Sequence, residues 1–111
     1  MEKTITIDGK KVAFKATAST TRRYRQLFGR DLILDMQALS EASVKGELSA
    51  SNLEAFENIA FTMAKQADDS IPDDADEWLD GFSMFSIYQI LPQLIELWGL
   101  NQKTLSKSKK K

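Results

Sequence analysis

The sequence predicts a mostly α protein of the α+β class, in which an N-terminal β-hairpin is followed by about four to five helices in a single compact domain. Polar and apolar residues alternate over residues 4–16 around an Asp-Gly pair, whereas later apolar residues recur every three or four positions. The length of 111 residues suits one domain. We assign residues 1–101 to that domain and predict a disordered basic tail over residues 102–111.

The hairpin is predicted over residues 3–16. Asp8 and Gly9 suit a two-residue type I′ turn, because both central residues of that turn need a positive φ. Tight pairing then places Ile5 opposite Val12 and makes one face of the hairpin apolar. That face needs a covering layer, since an isolated hairpin is only marginally stable in water. Its members are Ile5, Ile7, Val12, Phe14 and Ala16.

The first helices of the helical part, which is predicted over residues 20–99, are located by their capping residues. Residues 19–21 are Ser or Thr and offer N-caps for a short helix that ends at Gly29. Asp31 is expected to cap the second helix. Residues 43–50 contain a glycine and show little periodicity, so they are predicted to form a loop.

The third helix is predicted to begin at a capping box formed by Ser51 and Glu54. In such a box the serine accepts from a free backbone N–H, while the glutamate reaches back to the cap residue. Apolar residues then follow at the spacing of one helical face. They are Leu53, Phe56, Ile59, Ala60, Met63, Ala64 and Ala67. Phe61 projects away from that stripe, and we expect it to be surplus apolar surface.

The segment from Asp68 to Asp80 is predicted to be a loop and a short helix, and it holds seven acidic residues. Pro72 suits the start of that helix, and carboxylates there are stabilised by the helix dipole. The same oxygens offer ligands for Ca²⁺ or Mg²⁺, but their spacing lacks the central glycine and final glutamate of an EF-hand loop. We therefore interpret them as a solvated helix start and predict no metal site.

A last helix is predicted from about Ser83 to Trp98, ending at Gly99 and kinked at Pro92, whose ring removes one backbone hydrogen bond. Apolar residues cover roughly half of its circumference. Such a helix is either central in its domain or packs one face on the core and offers the other to a partner. The predicted partner-binding residues are Phe61, Phe85, Tyr88, Pro92 and Ile95.

Charge is segregated along the chain, although the total is only −1. Residues 1–30 hold eight basic and two acidic residues, a net of +6, whereas residues 31–102 hold two basic and fourteen acidic ones, a net of −12. Opposite blocks favour self-association or docking to complementary partners, unless folding interleaves them into an ordinary surface. We predict electrostatic self-association through Arg22, Arg23, Arg25, Asp73, Asp74, Asp76 and Glu77.

The composition disfavours most catalytic functions. The chain has no His and no Cys, which removes the commonest general base and the thiol nucleophile, and it has no Gly-rich phosphate loop. We predict neither an enzyme nor a cofactor. No apolar run is long enough to span a membrane, and the first residues carry no signal-peptide pattern, so no membrane partner is expected.

Nucleic-acid binding is the alternative function. Arg22 and Arg25 share one helical face, and Tyr24 offers a ring for stacking on a base. The acidic remainder of the chain would repel phosphate, so salt bridges with that remainder are the favoured role for these arginines. In the alternative, the protein is a small nucleic-acid-binding accessory or regulatory protein that uses the Arg22–Arg25 helix. A structural ring subunit that stays in a larger particle is a third hypothesis.

Seven stretches of the sequence form an ordered set: Ile5–Thr17, Arg22–Asp31, Phe56–Ala60, Met63–Ala67, Asp76–Asp80, Phe85–Pro92 and Glu96–Asn101. Together they resemble the tail assembly chaperones of long-tailed (siphovirus-type) bacteriophages and prophages of Gram-positive bacteria. The resemblance extends over nearly the whole chain, residues 40–52 excepted. It depends on the order of the stretches and not on any single motif.

The resemblance implies a non-enzymatic function without a cofactor. Such chaperones bind the long, helical tape-measure protein and keep it soluble while the tail-tube protein assembles around it. They act in the cytoplasm of the bacterial host and are absent from the mature virion. Family members self-associate, and many are also made in a longer, frameshifted form whose extension recruits the tail-tube protein. The lysines at 109–111 suit such a frameshift, because lysine codons are rich in adenine.

Overall fold

The computed structural model describes residues 2–97 and confirms the predicted α+β class. Two antiparallel strands come first, and helices make up the rest. The elements are β1 (Glu2–Ile7), β2 (Lys10–Lys15), α1 (Thr20–Phe28), α2 (Leu32–Lys45), α3 (Ala50–Ala67), α4 (Ala75–Leu79) and a 3-10 helix (Ile87–Ile90) that continues into α5 (residues 91–97). The predicted end of the last helix at Trp98 and Gly99, and the predicted tail over 102–111, lie outside the described residues.

The hairpin has the predicted turn and register. Asp8 and Gly9 both have positive φ, at 54° and 75°, and Ile5 pairs with Val12. Ile5 is only 3% exposed and Phe14 is fully buried, so the apolar face is covered as expected. The covering layer is α3, which packs across β2 and also contacts the other α-helices around it. The long central helix thus organises the core.

The first two helices begin at or next to the predicted capping residues. Gly29 ends α1 in the left-handed region, and the Asp31 side chain accepts from the Leu34 N–H at 3.1 Å. The prediction of a loop over 43–50 is wrong at its start, because α2 continues to Lys45. The helix ends at Gly46, whose φ of 71° is the conformation that glycine adopts most readily after a helix.

The capping box of α3 lies two residues before the predicted position. The Ser49 hydroxyl accepts from the Asn52 N–H at 3.2 Å, and the Asn52 side chain accepts from the Ser49 N–H at 3.0 Å. The prediction of Ser51 and Glu54 in these roles is therefore wrong. An asparagine side chain at the third helical position supplies the same acceptor that a glutamate would.

The C-terminal region corrects the prediction of a single kinked helix from Ser83. Residues 83–86 form turns, the 3-10 helix follows, and the α-helix begins only at residue 91. Pro92 therefore lies in the first turn of α5, where a missing N–H costs no helical hydrogen bond. A proline in that position is compatible with a straight helix, so no kink is required.

The fold includes no membrane-spanning helix within residues 2–97: each one described is too short or too polar to cross a bilayer. The largest fully buried side chains come from both strands, from α1, α2 and α3, and from the C-terminal helical region. The outer face of the hairpin and one long side of α2 remain in contact with solvent.

Candidate functional site

The most exposed aromatic side chain of the described residues lies in the turn before the 3-10 helix. Phe85 is 70% exposed, and its neighbour Met84 is 76% exposed. The sequence predicted Phe85 as a partner-binding residue but did not single out Met84. Met84 directly precedes Phe85, and that adjacency is the signal that could have identified it. We call Met84 and Phe85 the apolar tip.

The turn that carries the apolar tip is fastened to the hairpin. The Asp8 carboxylate accepts from the Ser83 N–H at 2.7 Å and from the hydroxyls of Ser83 and Ser86. Lys10 Nζ donates to the Gly81 carbonyl at 2.9 Å. The hydrogen bond from Ser86 and those from Ser83 lower the pKa of Asp8, so the acceptor stays ionised at neutral pH. The apolar tip is thus displayed on a fixed turn and not on a free loop.

Phe61 is not part of this surface. It is 1% exposed, and its ring lies 5.8 Å from the ring of Trp78 on α4. The expectation of surplus apolar surface at Phe61 is therefore wrong. The helix α3 is buried over a wider arc than its apolar stripe indicates, because α4 folds back over the side from which Phe61 projects.

The other predicted partner-binding residues are exposed to different degrees. Pro92 is exposed, whereas Tyr88 and Ile95 are half-buried and pack against the core. The Tyr88 hydroxyl donates to the Glu57 carboxylate, and that bond raises the pKa of the tyrosine. Pro92 and Ile95 are three residues apart on α5, so they lie on the same side of the helix.

The arginines of α1 remain available to a partner. Arg22, Arg23 and Arg25 are all exposed, and within residues 2–97 none of them forms an ion pair with a carboxylate. Arg23 instead donates to the Ser19 hydroxyl at 3.2 Å. The start of this helix is held on α3 by Gln66, whose side chain bonds to both Thr17 and Thr20.

The acidic residues of the predicted association surface have separate local roles. Asp73 forms an ion pair with Lys65 at 2.7 Å, although 95% of its side chain is exposed. Asp74 caps α4 by accepting from the Glu77 N–H, and Asp76 lies exposed in the same first turn. Within the described range, no three acidic side chains are grouped so that they could hold a metal ion. Intrachain salt bridges between this segment and the α1 arginines are not found there.

Lys65 fixes the loop that carries these acids. Its ammonium donates to the backbone carbonyls of Asp69 and Ile71, each at 2.8 Å, in addition to its ion pair with Asp73. Beside this loop lies a groove of about 280 Å³, whose lining includes Val12, Trp78 and Phe82. Charged residues of both signs also line it.

A buried polar cluster on α1 and α2 was not predicted from the sequence. Asp35 is 7% exposed and accepts from the Tyr24 hydroxyl at 2.7 Å and from two nitrogens of Arg30 at 2.8 Å each. The Arg30 hydrogen bonds lower the pKa of Asp35, while burial raises that of Tyr24. The cluster joins α1 to α2, and of its three members only Arg30 reaches the surface, so we assign the cluster a structural role.

The described residues thus present an apolar tip on a fastened turn, exposed basic residues on α1 and exposed acidic residues around α4. Comparison of the chain with protein-family models, with curated proteins and with solved structures finds no match.

Proposed function

We propose that this protein is a tail assembly chaperone of a long-tailed bacteriophage or prophage. It binds the tape-measure protein and keeps it soluble while the tail-tube protein assembles around it. It acts without catalysis in the cytoplasm of the bacterial host and is absent from the mature virion. A longer, frameshifted form recruits the tail-tube protein. The observation that carries the proposal is the apolar tip, Met84 and Phe85, held in place by Asp8.

The apolar tip suits the recognition of an amphipathic helix. The apolar stripe of an amphipathic helix packs against apolar anchor side chains of its partner. Burying a phenylalanine in such a contact contributes about 1.5–3 kcal/mol to the free energy of binding. The hydrogen bonds that Ser83 and Ser86 donate to Asp8 reduce the freedom that the turn would lose on binding, which favours affinity. Phe85 also begins one of the stretches on which the resemblance to tail assembly chaperones depends.

The proposal is tested by co-expression of the chain with a helical fragment of a tape-measure protein. We expect Phe85→Ala to weaken binding by about 2 kcal/mol, roughly thirtyfold in affinity, and to lower the soluble fraction of the fragment. Leu34→Ala is the matched control, because Leu34 is 62% exposed but lies on α2. The proposed function fails if the wild-type chain does not raise the solubility of the fragment. Equal rescue by wild type and Phe85→Ala would exclude the apolar tip as the anchor.

Self-association through opposite charges is part of the same proposal. Arg22, Arg23 and Arg25 of one copy face the acidic segment around α4 of the next, where Asp73, Asp74, Asp76 and Glu77 lie. Raising the salt concentration to about 0.5 M shortens the Debye length to a few Å and should dissociate such an assembly. Light scattering at low and high salt measures the effect. A particle mass that is the same at both salt concentrations would contradict this part of the proposal.

Nucleic-acid binding is the second candidate function, because the arginines of α1 are exposed. The observation in its favour is that Arg22, Arg23 and Arg25 have no carboxylate partner within residues 2–97. Gel shifts with duplex DNA and with single-stranded RNA at several salt concentrations decide between the two. Binding to nucleic acid that falls steeply as the salt concentration rises would favour the nucleic-acid function. The substitution Arg22→Gln should then weaken that binding.

A further inference from the structure

The outer edge of β1 is an unpaired strand edge. Ile7 and Lys10 flank the two-residue turn and pair with each other, so the backbone groups of alternate residues point away from β2. On β1 these residues are Glu2, Thr4 and Thr6, and all three side chains are exposed. No hydrogen bond formed within the described part of the chain reaches their outward N–H and C=O groups.

The outward residues of this edge include no lysine and no proline. Exposed edges are commonly protected by an outward lysine, a proline or a bulge. The pairing of β1 with β2 is continuous from Glu2 to Ile7 and contains no bulge. The outward side chains of Thr4 and Thr6 are small, uncharged and well suited to a strand. An edge of this kind is suited to pair with another strand.

We propose that the occupant is β1 of a second copy, added antiparallel across a twofold axis with Thr4 opposite Thr4. The two hairpins then form a four-stranded sheet, and Glu2 of each copy lies opposite Thr6 of the other. Thr–Thr pairs across antiparallel strands are favourable. A twofold axis makes the contact self-complementary and closed, so it gives a dimer and not a fibre.

Charge and the length of β1 select this register. Shifts that keep the same side chains facing the core move by two residues, because successive side chains alternate between faces. One such shift sets Lys3 opposite Lys3 and brings like charges together, and the other leaves Glu2 without an opposing strand residue, because β1 ends at Ile7 and Asp8 lies in the turn. Full-length pairing of two β2 strands sets Lys11 opposite Lys15 and is disfavoured for the same reason.

The chain has no cysteine, so a single introduced cysteine is the one thiol that can form a disulfide between two copies. In the proposed dimer, Thr4→Cys places two cysteines in a hydrogen-bonded pair, where Cα atoms lie about 5.5 Å apart and within disulfide range. Thr6→Cys is the matched control on the same edge, and its two cysteines would be roughly 14 Å apart, four residues out of register. We expect disulfide-linked dimer to form at least tenfold faster in Thr4→Cys.

A charge variant measures the same contact without a disulfide. Thr4→Lys sets two lysines opposite each other and should weaken the dimer at least tenfold in sedimentation equilibrium, whereas Gln37→Lys adds the same charge on exposed α2 and should not. This dimer rests on backbone hydrogen bonds, so wild type should keep it at salt concentrations that dissociate the charge-driven assembly. Equal cross-linking of Thr4→Cys and Thr6→Cys, or a wild-type chain that stays monomeric at high concentration, would overturn the proposal. Neither result bears on tape-measure binding.

Discussion

Truncation of Phe61 to alanine is expected to lower the free energy of unfolding by about 3–5 kcal/mol, because it removes a fully buried ring and leaves a cavity between α3 and α4. Phe61 is 1% exposed and packs against Trp78. The loss is a large fraction of the stability of a small domain, which is typically about 5–15 kcal/mol. Urea denaturation followed by circular dichroism measures it.

Phe85→Ala is the matched comparison for this measurement. Phe85 is 70% exposed, so its truncation should change the free energy of unfolding by no more than about 0.5 kcal/mol. The two substitutions remove the same side chain and differ only in its surroundings. Similar losses for both variants would contradict the burial of Phe61. If only Phe61→Ala is strongly destabilised, its failure to hold a tape-measure fragment would report unfolding and not a lost contact.

Replacement of Asp35 by alanine is the second large effect. The Tyr24 hydroxyl is buried and would lose its only acceptor in the described residues, which costs about 1–3 kcal/mol. Arg30 would also lose its carboxylate, but 61% of its side chain is exposed and water can replace the partner. We therefore expect a loss of about 2 kcal/mol in the free energy of unfolding. Asp35→Asn, which keeps an acceptor for Tyr24, should lose less.

The same carboxylate makes stability depend on pH. The pKa of Asp35 is lowered in the folded state, chiefly by the hydrogen bonds from Arg30. Its contribution is therefore fully present above the unfolded pKa of about 3.9 and is lost as the pH falls through the lower folded value. The difference in unfolding free energy between wild type and Asp35→Ala should stay constant above about pH 5 and shrink below about pH 4. A difference that grows on acidification would contradict this assignment.

The features that the sequence predicted well are those that depend on neighbouring residues alone. The Asp8-Gly9 turn, the Asp31 cap and the glycine that ends α1 each follow from the φ angles or side-chain acceptors of one or two residues. The capping box of α3 was misplaced because Ser49 and Ser51 both precede a suitable acceptor by three residues. Local pattern alone does not decide between two adjacent boxes of this kind.

The features that were missed depend on contacts between distant parts of the chain. The burial of Phe61 requires α4 to fold back over α3, and the turn at 83–86 is stabilised by Asp8 from the opposite end of the domain. Pro92 was taken as the cause of a kink because the start of the last helix was placed too early, at about Ser83 and not at residue 91. Among the candidate site residues, the exposure of Phe85 was anticipated correctly, whereas the accompanying Met84 was overlooked.

The bond between Asp8 and Ser83 has a consequence for how the chain folds during synthesis. The two residues are 75 positions apart, so a ribosome that adds about 5–20 residues per second needs roughly 4–15 s to make the second after the first. During that interval the hairpin has been made but lacks the turn that fastens to it, and its apolar face lacks part of its cover. The N-terminal strands must therefore wait for the end of the domain before they reach their final environment. In this domain the hairpin is made before the helices but is secured only after them.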